Sequence, residues 1–252
     1  MYYVIPDIHG QYDKLNKLLN KIIDRKQPND KIVFLGDYVD RVKSSSKVIN
    51  LLYLIKDRDD VILLMGNHDI AFYNSIINVN NFDLSSIEWL SQNSIETLES
   101  YNINCNELKY LKIDDLLSLK TKLDIKKRFN LLLKEIYEFK QSEEFKKLKE
   151  VILDCEYYYE TDDFLFSHSG GLYFLKPEEH SAAQWVWSRD FQKRKFSNKT
   201  YVVGHTPTSS GKVEYLNSNI LMCDTGSVYD ENKQLPLIPL TLSRIYLDQF
   251  DL

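Results

Sequence analysis

Short apolar runs alternate with helically spaced ones in the first third of the chain. Tyr2 to Ile5 is a β-rich run. Leu15, Leu18, Leu19, Ile22 and Ile23 then recur at the i, i+3, i+4, i+7, i+8 spacing of an amphipathic helix. Pro28-Asn29-Asp30 breaks the chain and Lys31 to Leu35 is the next strand. Ser44 to Ser46 offers N-caps for a helix carrying Val48, Ile49, Leu51, Leu52 and Ile55. Val61 to Met65 is a third strand. Strands separated by helices predict parallel pairing with right-handed crossovers. Ligands in such sheets gather beyond the carboxyl ends of the strands.

The last third has more strands and fewer helices. Phe164 to Phe166, Tyr201 to Val203, Ile220 to Met222 and Ile245 to Leu247 read as strands, with a hairpin turn at Asn217-Ser218-Asn219. A second, more antiparallel sheet is expected from them. Between the two parts, from about 76 to 150, glycine and proline vanish and Lys, Glu, Asn, Leu and Ile dominate. The spacing of Leu108, Leu111, Leu116, Leu119 and Leu123 is loosely helical, which predicts a helical insertion over the site with a solvated, mixed-charge face. The expectation is one α/β domain over 1–252, with a core of about 1–75 and 151–252 around that insertion.

Composition narrows the class. A length of 252 residues, 43% hydrophobic, suits one core without disulfide support. The three cysteines, Cys105, Cys155 and Cys223, form no CxxC pair and are expected to be reduced. A net charge of -5 and no long basic run give no long-range attraction to DNA. The N-terminal apolar run ends at Asp7 and lacks a basic leader, so neither a signal peptide nor a membrane span is expected, and the protein is expected in the cytoplasm.

The polar residues that follow these strands carry the chemistry. They form Asp7-Ile8-His9-Gly10, Gly36-Asp37-Tyr38-Val39-Asp40-Arg41, Gly66-Asn67-His68-Asp69, Ser167-His168-Ser169-Gly170 and Gly204-His205-Thr206-Pro207. Carboxylate, amide and imidazole donors without thiolate suit a hydrolytic pair of Mn, Fe or Zn ions. Asp7 and His9, two apart in extended chain, would lie on one side and could reach one metal. Asp37 could bridge two ions with its two oxygens, and Asn67, His168 and His205 could complete the second. The glycines would supply tight turns and let backbone approach a crowded site.

Taken in order, DIHG, GDYVDR, GNHD, SHSG, VWSRD, GHTP and CDTG resemble the phosphoprotein-phosphatase-type, calcineurin-like metallophosphoesterases. The likeness is greatest to small bacterial and phage serine/threonine phosphatases and to symmetrical diadenosine tetraphosphate hydrolases. It spans 2–75 and about 155–248 and leaves the insertion unmatched. Pro6, Val42 and Asp69 depart from the motif, the last standing where glutamate is usual, and bear on loop geometry and substrate preference.

The resemblance implies two mixed β-sheets packed as a sandwich between helices. It implies one ion held by Asp7, His9 and Asp37 and another by Asp37, Asn67, His168 and His205, manganese first among the candidates. His68 would be the general acid, Asp40 its orienting partner, and Arg41, Arg189 and Asn67 the phosphate contacts. Trp185 and Trp187 are expected in the core, Asp224 and Thr225 in a structural turn flanking the site, and His180 on the surface. The implied reaction is phosphomonoester hydrolysis by direct attack of metal-bound hydroxide, on phosphorylated protein or a small phosphate ester. A dinucleoside polyphosphate or nucleotide-cap hydrolase and an inactive metal- or phospho-ligand-binding scaffold are the alternatives.

Overall fold

The computed structural model describes residues 1–229 except 82, 113, 115–117, 120 and 194–197, together with 235, 236 and 238–240. Strands β1 (Tyr2–Ile5), β2 (Lys31–Phe34) and β3 (Val61–Leu63) pair in parallel, as their intervening helices require. Those helices are α1 (Tyr12–Arg25), which buries Leu15, Leu18, Leu19 and Ile22, and α2 (Ser45–Ile55). Ser44 holds the cap position of α2 without a side-chain bond to it. An antiparallel strand, β9 (Ile238–Leu240), completes the order β3-β2-β1-β9. The strand expected at Ile245 to Leu247 lies outside the described residues.

The second sheet has the order β4-β5-β6-β8-β7, from β4 (Tyr158–Glu160), β5 (Phe164–Ser167), β6 (Thr200–Val203), β7 (Glu214–Asn217) and β8 (Ile220–Met222). Its edges are antiparallel and β5, β6 and β8 are mutually parallel, so the sheet is mixed, as the resemblance implies, with a larger antiparallel share than the first sheet. The physical reason is the chain path. Beyond β6 the chain first forms the outer strand β7, turns through Asn217-Ser218-Asn219, and returns as β8 into the gap beside β6.

Alternation along the strands assigns the layers. Val4, Val33, Leu35, Leu64, Phe164, Phe166, Val202 and Leu221 form one buried cluster between the sheets. Their neighbours Ile5, Ile32, Phe34, Leu165, Val203 and Met222 belong to the larger cluster that includes the helices. At one corner the sheets touch: Met65 N–H donates to Glu156 O (2.8 Å) and Glu156 N–H to Leu63 O (3.0 Å).

From Asn67 to Asp154 the described chain holds helices and no strand: α3 (Asn67–Asn78), α4 (Leu84–Asn93), α5 (Ile95–Ser100), α6 (Lys122–Arg128), α7 (Asn130–Phe139) and α8 (Glu143–Asp154). Leu108 is buried in a turn rather than a helix, and Leu116 lies outside the described residues. α4 packs on α3, and α8 packs along α2. Cys105, Cys155 and Cys223 are all free. No helix among the described residues is long and apolar enough to cross a membrane.

Candidate active site

The parallel strands of both sheets end at one place. Asp7 and His9 follow β1, Asp37 follows β2, Asn67 and His68 open α3 just past β3, and His168 and His205 follow β5 and β6. His9, Asp37, Asp40, Arg41 and His205 have φ of 45°, 55°, 71°, 72° and 65°. This left-handed backbone costs a non-glycine residue roughly 1–2 kcal/mol and persists only where the surroundings impose it. Asp69 is one such constraint. Its buried carboxylate accepts from Asp37 N (2.7 Å), Gly66 N (3.0 Å), Tyr38 N (2.7 Å) and Val39 N (3.3 Å). The departure from glutamate thus ties the Asp37 loop to the start of α3. Two glycines allow the approach: a Cβ on Gly66 would strike the Asp37 backbone and carboxylate, and one on Gly204 the Asp7 carboxylate.

The imidazole lone pairs converge. His9 Nδ1 lies 2.8 Å from Val39 O and His168 Nδ1 2.9 Å from Leu35 O, and a carbonyl only accepts, so each ring carries its proton on Nδ1. Their Nε2 atoms face Asp37 from opposite sides, His9 at 3.4 Å from Oδ2 and His168 at 3.4 Å from Oδ1. His168 Nε2 also faces Asn67 Oδ1 at 2.9 Å. Buried His205 Nε2 has no hydrogen-bond partner at all. Lone pairs facing lone pairs, with one orphaned, fit a site for cations rather than a finished hydrogen-bond network. Two groups, His9-Asp37-His68 and Asp37-His168-His205, have donor atoms within 4.8 Å of one another. Asp7 is adjacent, its carboxylate accepting from His205 N at 3.0 and 3.1 Å.

Burial pushes these groups toward neutrality. Asp37 is raised well above the usual carboxylate range by burial and the nearby Asp7, and Asp7 by burial and Asp224. His9 is lowered to about 3 by burial and the neighbouring His68. His205 is lowered to about 4 by burial, Arg189 and His68, against a hydrogen bond to the Trp187 backbone. A bound divalent cation would reverse the carboxylate shifts, since it favours the ionised form.

Beside this cluster, His68 Nδ1 meets buried Asp40 Oδ2 at 2.8 Å, and Arg41 Nη2 donates to His68 Nε2 at 3.4 Å. Burial and Arg41 lower His68 to about 3, so at neutral pH the ring is uncharged with its proton on the Asp40 side. A cavity of about 270 Å³ opens over Asp7, His9, Asp37, Asn67, His68 and His205, with Arg41 and Arg189 on its wall. His168 and Asp40 lie behind it, fully buried.

Two expectations need correction. Trp187 is 44% exposed and lines the cavity, whereas Trp185 is in the core as expected. The difference arises because the short helix α9 (Ala182–Trp187) ends there and turns the last ring outward. His180 is not a loose surface residue: Nε2 accepts from Leu172 N (2.8 Å), Nδ1 donates to Lys176 O (2.8 Å) and the ring stacks on Trp185. Asp224 forms the turn expected beside the site, accepting from Gly226 N (2.8 Å) and lining the cavity. Three residues of α4 and α5 escaped the sequence reading. Trp89 and Asn93 line the cavity, and Thr97 bonds Asp40. Their i, i+4, i+8 spacing was the available signal: a polar and aromatic stripe beside apolar Ile87, Leu90 and Leu98.

Residues 2–231 match the family model described as calcineurin-like phosphoesterase. A protein of Caenorhabditis elegans that bears a serine/threonine-protein phosphatase name is 44% identical over 75 residues, which is 29% of this chain and 20% of that protein. The zinc-dependent endopolyphosphatase of Saccharomyces cerevisiae is 25% identical over 224 residues, 81% of this chain and 60% of that one. The chain thus spans less than two thirds of the length of either relative. Among solved structures, the cold-active protein-tyrosine phosphatase of a psychrophilic Shewanella species has a TM-score of 0.53 at 19% identity, over 97% of this chain and 76% of that one. At that identity the likeness is one of fold.

Proposed function

The chain belongs to the calcineurin-like phosphoesterases, hydrolases that work with divalent metal ions, and from that premise we propose that it is a two-metal phosphomonoesterase acting on phosphoserine or phosphothreonine in proteins. The observation that carries the reading is Asp37, whose two oxygens each lie 3.4 Å from a different imidazole lone pair. In this assignment Asp7, His9 and Asp37 hold one ion, and Asp37, Asn67, His168 and His205 hold the other. His68 is close enough to join the first set. Both its ring nitrogens are already engaged, with Asp40 and Arg41, which argues for a role in proton transfer.

When bound, the ions would supply the positive charge that acidifies a water and neutralises phosphoryl oxygens; nitrogen and oxygen donors suit manganese, with iron or zinc as alternatives. The chain's own residues do the rest. Arg41 and Arg189 grip the phosphate at the cavity wall, and Asn67 adds an amide contact. An arriving phosphate draws Arg41 from His68 Nε2, and its negative charge favours uptake of a second proton, from solvent, on that nitrogen. Asp40, fixed at Nδ1, keeps Nε2 aimed at the leaving oxygen and stabilises the protonated ring. Protonating the leaving group is typically worth about 10²–10⁴-fold in rate. The free cysteines accord with a cytoplasmic setting.

A second reading, hydrolysis of dinucleoside polyphosphates, draws on the rings of Trp89, Trp187 and Tyr229 around the cavity, which could stack a base. The test is a screen of manganese-loaded protein on a phosphoseryl peptide and on diadenosine tetraphosphate. A higher kcat/KM on the peptide is expected. The reverse order would replace the protein-phosphatase reading with the second one. Loaded protein that hydrolyses neither of these nor p-nitrophenyl phosphate would leave only a scaffold.

A further inference from the structure

We propose that Thr97, on α5 in the segment the motif resemblance leaves unmatched, is a positioning residue for the Asp40–His68 pair; the inference rests on the phosphomonoesterase reading above. The Thr97 hydroxyl is fully buried and does two things to one residue. It accepts from Asp40 N–H at 2.8 Å and donates to Asp40 Oδ1 at 3.0 Å. A hydroxyl has one proton and two lone pairs, so a single oxygen can hold both the backbone and the carboxylate of Asp40. Asp40 Oδ2 is left for His68 Nδ1, at 2.8 Å. The backbone half of this grip matters because Asp40 and Arg41 are both left-handed, at φ 71° and 72°. Thr97 holds the first of those two strained residues.

Thr97 is itself anchored. Ser45 Oγ lies 3.1 Å from its hydroxyl. At the end of α5, Ser46 N donates to Ser100 Oγ (3.1 Å) and Ser46 Oγ to Ser100 O (2.7 Å), which pins α5 to the first turn of α2. Five residues before Ser94, where α4 gives way to α5, Trp89 stands over the other side of the His68 ring, 5.3 Å between centroids. One helical segment therefore limits the histidine twice, through hydrogen bonds behind Asp40 and by an aromatic wall in front. The consequence is specific: loosening Thr97 misaims the proton donor without touching the groups assigned to the ions.

The test compares Thr97→Val, a near-isosteric change that removes both hydrogen bonds, with Thr97→Ser, which keeps them. Each manganese-loaded protein is assayed on β-glycerol phosphate, whose alkoxide needs a proton to leave, and on p-nitrophenyl phosphate, whose phenolate hardly does. Thr97→Val is expected to lower kcat on the alkyl ester by about tenfold and on the nitrophenyl ester by no more than about twofold. KM and metal content should hold steady, and Thr97→Ser should restore the alkyl-ester rate. Should Thr97→Val fail to fold, Thr97→Ala is expected to give the same selective loss. Equal loss on both esters, loss of metal, or a wild-type-like Thr97→Val would overturn the positioning role and leave the phosphatase reading standing. A metal-loaded wild type inert toward both esters would overturn both.

Discussion

The strand ends and the helical segment α4–α5 face each other across one cavity and hold their residues by different means. On the strand side the polar groups are set by backbone: left-handed turns at His9, Asp37 and His205, glycines where two chain segments nearly touch, and Asp69 gathering four N–H groups. On the helical side the contribution is side chain alone: Trp89 and Asn93 on the wall, and Thr97 behind Asp40. The difference teaches that strand ends can collect the charge-bearing groups because six of them end at one edge, whereas a helix passing overhead supplies shape and support. Changes on the strand side should therefore abolish chemistry, and changes on the helical side should tune it.

The largest expected effect is at Asp37, the carboxylate proposed to join the two ions. Asp37→Asn should weaken both ions and lower kcat/KM by about 10³-fold or more, read by metal content and steady-state kinetics. Full occupancy in that variant would contradict the bridging assignment. His68→Asn comes next and separates proton transfer from metal binding. It should keep the ions and lose about 10²–10⁴-fold on alkyl phosphates, and much less on p-nitrophenyl phosphate. Equal losses would remove His68 from the acid role.

Asp69→Ala moves from chemistry to stability. It strips the partners from buried N–H groups at Asp37, Tyr38 and Gly66, and should cost about 3 kcal/mol in urea unfolding of the metal-free protein. A loss below about 1 kcal/mol would mean that the strained turn is held by something else. The smallest effect belongs to the helical side. Trp89→Ala should raise KM by about three- to tenfold and lower kcat by no more than the roughly tenfold expected of Thr97→Val. A kcat loss as large as that of His68→Asn would erase the distinction between the two regions.

What could be read from the chain divides along the same line. The strand-end residues were legible because each follows a short apolar run, and a parallel sheet brings such ends together whatever lies between them in sequence. The parallel centre of the second sheet was not, since strand order depends on where β7 goes before β8 returns, and no local pattern encodes that path. Trp187 and His180 were misread because solvent exposure turns on where a six-residue helix stops and on what a half-buried ring can stack against. Thr97 was hidden for a plainer reason: a threonine on a short helix usually serves packing, and its partner Asp40 lies 57 positions away.

The direct test of the central claim is anomalous diffraction at the manganese edge from crystals of the manganese-loaded protein. The account predicts two peaks about 3.5–4 Å apart, one on each side of Asp37, with His9 reaching the first and His168 and His205 the second. A single peak, or a pair that Asp37 does not join, would contradict it.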